Sequence, residues 1–176
     1  MRWMMIIGIA LVLAACGAQE AAQPPQGQDE GIISGAMPLP DAPDTEEMIV
    51  TNGYAGAVLA GSASPYLAFT MQDYEKAKAE GKVILLNFYA SWCPICRAEE
   101  PEALAAFNEL DQEKVIGFRV NYRDSETDDA EQALAKEFGI PYQHTKVILK
   151  DGKQLLKAPD SWDKERYLAE IAKAAG

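Results

Sequence analysis

Two cysteines three positions apart, Cys93 and Cys96, are the residues of this 176-residue chain best placed to do chemistry. They lie in Asn87-Phe88-Tyr89-Ala90-Ser91-Trp92-Cys93-Pro94-Ile95-Cys96-Arg97, where an apolar run passes into a segment opened by proline. A thiol at the first turn of a helix meets unpaired backbone N–H groups and the positive end of the helix dipole, and both favour the thiolate. The thiolate is the reactive form of cysteine. The second sulfur lies one turn inward, close enough to attack a mixed disulfide formed on the first. Pro94 suits the opening turn, where its missing N–H is no loss. The spacing predicts Cys93 as an exposed nucleophile and Cys96 as the resolving thiol. The electrons stay on the Cys93–Cys96 pair, so no organic cofactor is required. Trp92 flanks the pair as a contact surface. Two other uses of the cysteines are weaker. His144 is the only histidine and Cys16 the only other cysteine, which leaves a closed zinc site short of ligands. An inert disulfide across so small a loop would remove little chain entropy. Glu99 and Glu100, further along the same helix, are expected to form a solvated face.

The elements that must hold these thiols follow from periodicity and punctuation. Val83 to Tyr89 is a nearly continuous apolar run, as in a central parallel strand, and a helix follows from about Pro94 to Leu110. Before them come a short strand, Tyr66 to Phe69, and a helix capped by Thr70 that ends at Gly81. After them come a strand over Val115–Val120, a helix over 128–138 ending at Gly139, and a strand from Lys146 to Lys150. Asp151-Gly152 then makes a hairpin turn into a strand over Gln154–Leu156, and an amphipathic helix runs from Asp163 to Ala174. Strands that alternate with helices and finish in one hairpin predict an α/β domain, a mixed sheet of four to five strands with helices on both faces. Residues 48–65 are ambiguous: Tyr54 to Ala60 has a strand's composition, and Gly61-Ser62 could turn it into a hairpin with 66–69.

The N-terminal third has a different character. Acids outnumber bases 27 to 16, for a net charge of −11, which argues against nucleic-acid binding. Residues 3–75 carry nine acids and no Lys or Arg. Arg2 precedes thirteen uncharged residues, Trp3 to Ala15, in a run that closes with Leu13-Ala14-Ala15-Cys16, an apolar core of signal-peptide length and too short for an ordinary membrane span. That ending resembles the bacterial lipoprotein signal box, which implies removal of residues 1–15 and a lipid on Cys16. The chain would then be anchored to the cell membrane or outer membrane, outside the cytoplasm, where disulfide chemistry is normal. Residues 16–47, with Pro24-Pro25, Pro38, Pro40 and Pro43 among acids and small residues, read as a tether.

The thiol segment, its strand-to-helix context, Pro101 after it and Lys150-Asp151-Gly152-Lys153 in the last hairpin resemble the thioredoxin superfamily. The nearest likeness is to the membrane-tethered TlpA/ResA-like thiol–disulfide oxidoreductases. The resemblance covers roughly residues 66–175 and implies a thioredoxin-like domain over 66–176, with a thioredoxin fold and a redox-active Cys93–Cys96 disulfide. It implies a kink in the helix at Pro101 and a supporting shell of Trp92, Pro94, Ile95, Asn87, His144 and Thr145. Its implied partners are cysteine-containing envelope proteins and a membrane thiol donor or acceptor, with roles such as cytochrome c biogenesis, and the domain is expected to be monomeric. Two departures stand out. Thioredoxins place a buried aspartate six residues before the first cysteine, as proton acceptor for the second; Asn87 stands there, and an amide cannot take a proton. The family also places a cis-proline before a threonine opposite the dithiol. Ungapped counting puts His144 there, followed by Thr145, with Pro141 three residues earlier as the alternative. A histidine facing two thiols could shuttle protons. It could also complete a Cu(I) site of Cys93, Cys96 and His144, resembling Sco-type copper proteins, which however space their cysteines by three residues.

Overall fold

The structure, a computed structural model, describes residues 53–176. The signal, the lipidation site Cys16 and the tether read from the sequence lie outside the described residues. Ten elements follow in order: β1 (Val58–Ala60), β2 (Tyr66–Ala68), α1 (Met71–Ala79), β3 (Val83–Tyr89), α2 (Pro94–Glu109), β4 (Val115–Asn121), α3 (Asp129–Glu137), β5 (Thr145–Lys150), β6 (Lys153–Ala158) and α4 (Lys164–Ala175). They build one sheet in the order β1-β2-β4-β3-β5-β6. β2 and β3 run parallel to β4, while β5 runs antiparallel to β3. The sheet has six strands rather than four to five. The additional edge strand is β1, which pairs antiparallel with β2 and is only three residues long, too short to carry a periodic signal.

Side chains alternate across the sheet, and β3 serves both faces. Ile84, Leu86 and Phe88 join Ile116, Phe118, Val147 and Leu149 in a core closed by Tyr74 and Ala77 of α1 and Leu134 of α3. Val83 and Leu85 point the other way, into a second core with Ala103, Ala106 and Phe107 of α2 and Tyr167 and Ile171 of α4. Gly117 on β4 lets α2 approach closely: a Cβ there would collide with the Phe107 ring and stand 2.6 Å from Tyr66 Cδ2. Local chemistry sets the helix starts. Thr70 accepts from Asp73 N–H to cap α1. Asp128 and Glu131 close a capping box on α3, and Asp163 caps α4. The β5–β6 turn is Asp151-Gly152, both residues at positive φ, the backbone a tight hairpin of the I′ type needs.

Candidate active site

β3 ends at Tyr89, the chain turns at Ala90–Trp92, and α2 begins at Pro94. This junction makes Cys93 the N-cap of α2, with Pro94 in the first turn and Pro101 inside the helix. The Cys93 sulfur accepts from Cys96 N–H at 3.3 Å, taking the role a serine or aspartate oxygen plays at most helix starts. Both cysteines are free thiols. Ser91 N–H donates to Asp124 Oδ2 (3.0 Å) and Trp92 Nε1–H to Arg123 O (3.0 Å), tying the turn to the loop after β4.

The two sulfurs are chemically distinct. Burial alone would push the Cys93 thiol up, but donors from the Cys96 N–H and thiol, the Gln143 side chain and the Ile95 N–H outweigh it and leave Cys93 below the ordinary thiol range. Burial, reinforced by the Cys93 sulfur alongside, pushes Cys96 up to about 12. The expectation of an exposed Cys93 is corrected: the residue is 2% exposed, although its neighbours Trp92 (54%) and Ile95 (45%) stand open to solvent. The cause is the capping bond, which turns the sulfur inward over the helix mouth, and His144 on the far side.

His144, and not Pro141, faces the thiols. Its Nδ1 lies 3.9 Å from Cys93 Sγ, whereas Pro141 is exposed. His144 adopts φ +54, and its N–H donates to Phe88 O at 2.6 Å. Burial and then the nearby Lys146 charge hold the imidazole below its ordinary value, so it is neutral near pH 7. Thr145 is buried, and its hydroxyl donates to Tyr142 O (2.8 Å), closing the turn that presents His144. Asn87 is buried beneath the site and donates to Tyr66 Oη at 3.0 Å. Cys93, Cys96 and His144 bring three ligand atoms within 4.8 Å of one another. Two thiolates and a neutral imidazole are a donor set that fits a soft monovalent ion such as Cu(I) better than a four-coordinate zinc ion.

Glu99 and Glu100 do not form a solvated face. Glu99 is buried; its carboxylate pairs with buried Lys146 and accepts from Trp162 N–H (2.8 Å) and Tyr167 O–H (3.0 Å). Glu100 pairs with Arg119 at 3.1 Å. The cause lies on the sheet: Arg119 and Lys146 flank Asn87 in register on β4 and β5, putting two cations under α2. Sequence reasoning also missed Gln143, although it adjoins His144.

A thioredoxin-type sheet with a Cys-x-x-Cys at the head of its second helix defines the class: a thiol–disulfide oxidoreductase with the thioredoxin fold. The family described as Thioredoxin matches residues 66–174, and the chain belongs to it. Thioredoxin H4 of Arabidopsis thaliana is 36% identical over 105 residues, 58% of this chain and 79% of that protein. Thiol:disulfide interchange protein DsbE of Pasteurella multocida is 38% identical over 93 residues, and HelX of Rhodobacter capsulatus 34% over 82. These matches cover 48% and 47% of this chain, but the chain spans only 45% and 39% of those two relatives. Among solved structures, thioredoxin from Aeropyrum pernix superposes with a TM-score of 0.51 at 16% identity, covering 68% of this chain and 94% of that one. A mutant thioredoxin from Halobacterium salinarum gives 0.50 at 24%, covering 66% and 96%. Both share the fold.

Proposed function

We propose that this protein is a lipid-anchored, extracytoplasmic oxidoreductase that exchanges the Cys93–Cys96 disulfide with cysteine-containing envelope proteins and with a membrane thiol donor or acceptor. The observation that carries the exchange chemistry is the split between the thiols: Cys93 lowered and capping the helix, Cys96 raised to about 12 and within reach of it. In the oxidising direction the partner thiolate attacks Cys93 Sγ, and the electron pair of the broken bond leaves on Cys96. In the reducing direction Cys93 thiolate attacks the partner's disulfide. Cys96, on losing its proton, then attacks Cys93 Sγ and releases the partner as a thiolate. Trp92 and Ile95, exposed beside the pair, supply apolar contact for the partner. The relatives named thiol:disulfide interchange protein support the exchange chemistry, and Leu13-Ala14-Ala15-Cys16 in the sequence supports an envelope setting, in which cytochrome c biogenesis is one such role. No nucleic acid is involved, and the domain acts as a monomer.

Redox titration of the purified chain tests this reading. A two-electron couple lost in Cys93→Ser, together with accumulation of mixed disulfides on Cys96→Ser, is the expected result; a chain that never exchanges with small dithiols overturns it. For the anchor, Cys16→Ser should move the protein from the membrane fraction to the soluble one. A second reading, Cu(I) binding or delivery, is favoured by the three converging ligand atoms. It requires stoichiometric Cu(I) retained against a competing chelator and lost in His144→Ala while the disulfide still forms.

A further inference from the structure

Lys146 interrupts an apolar strand. β5 reads Thr145-Lys146-Val147-Ile148-Leu149, and Lys146 is 0% exposed. An ammonium buried this deeply is tolerated only when it is paired and hydrogen-bonded. Its three protons go to three different segments: the Glu99 carboxylate on α2, the His144 carbonyl at 3.1 Å and the Asp160 carbonyl at 2.9 Å. The rings of Trp162 and Tyr167 stand 5.5 and 5.8 Å from the charge, and both residues also donate to Glu99. A buried ion pair is often replaceable by apolar side chains without loss of stability, so stability alone does not account for this one.

What the pair touches gives it a purpose. His144 holds a left-handed backbone that a non-glycine residue adopts at a cost, and such conformations persist where the surroundings over-determine them. Here both backbone groups of His144 are held: N–H by Phe88 O and C=O by Lys146 Nζ. Glu99, at the other end of the pair, sits three residues after Cys96, on the turn of α2 next to the thiols. One ion pair therefore links the helix that carries the sulfurs to the loop that carries the imidazole. We propose that Lys146, clamped by Glu99, is the positioning residue that holds His144 against Cys93 and so sets the sulfur–imidazole contact used in exchange. The geometry stands by itself; its role in exchange rests on the oxidoreductase reading above.

The test removes both charges at once, so that neither is left buried alone. In Lys146→Met/Glu99→Gln, NMR cross-relaxation between the His144 ring and the Cys93 methylene protons should disappear. Exchange with oxidised glutathione should slow by roughly tenfold, mid-range for residues coupled through contact. His144→Gly, which keeps the left-handed backbone without strain, should slow exchange equally, and the triple variant should be no slower than either. A retained ring contact, or losses that multiply in the triple variant, overturns the proposal. If the double variant does not fold, the wild-type chain decides: the Lys146 ammonium protons should exchange slowly with solvent and correlate with the His144 carbonyl. Fast exchange overturns the clamp. A wild-type chain that keeps the ring contact yet exchanges with no disulfide sustains the clamp and overturns the oxidoreductase reading.

Discussion

Cys93 and Cys96 are the same side chain in two surroundings, and their titrations should separate accordingly. Alkylation of Cys93 should reach half its maximal rate at a lower pH than that of an unperturbed cysteine, while Cys96, pushed up to about 12, stays unreactive far above that pH, and only part of its rise should remain in Cys93→Ser, which removes the sulfur beside it. Because folding depresses the Cys93 pKa, the stability this contributes is present above the unfolded value and is lost as pH falls through the folded one. The urea midpoint of the reduced chain should therefore drop across that interval, and Cys93→Ser should abolish that part of the drop. Gln143→Ala removes a donor to the sulfur and should move the Cys93 alkylation midpoint upward. The cysteines were legible in the sequence because spacing, proline and the preceding strand agree. Gln143 was not, since a polar loop residue has no period and no partner visible in one dimension. Glu99 and Glu100 misled for a related reason: consecutive acids on a helix are ordinarily solvated, and the cations beneath them sit on strands far away in the chain.

The junction between β3 and α2 does most of the positioning, and its precision depends on how closely α2 lies on the sheet. Gly117→Ala puts a methyl group into the Phe107 and Tyr66 rings and should cost about 1–3 kcal/mol, as over-packed cores do. Thermal unfolding measures this, and Cys93 alkylation should quicken in the same variant if the helix mouth lifts. Element identities were readable from the chain because long apolar runs and local punctuation agree: Thr70, Gly81, Gly139 and Asp151-Gly152 each mark a boundary. β1 was the element left ambiguous. A three-residue edge strand gets its identity from its neighbour β2 and not from its own composition.

At the scale of the whole molecule, the buried Glu99–Lys146 pair joins α2, β5 and the segment leading into α4. Lys146→Met alone strands the Glu99 carboxylate and should cost about 3–5 kcal/mol, whereas adding Glu99→Gln should recover a large part of that loss. Equilibrium denaturation of the two variants makes the comparison. No sequence rule would have found this pair, because each partner looks conventional in its own element. The fold class, by contrast, is set by element order, and the order of strands and helices along the chain was enough to specify it.

A sulfur biased toward thiolate is ordinarily the first to be lost to peroxide, climbing from sulfenic to irreversible sulfinic acid. Here that sulfur sits under a lid of its own backbone and an imidazole ring, so oxidants arriving singly from solvent meet Trp92 and Ile95 before they meet the thiolate. Resistance to over-oxidation thus shares its origin with the low pKa: the bond that turns the sulfur over the helix mouth is also what leaves it 2% exposed.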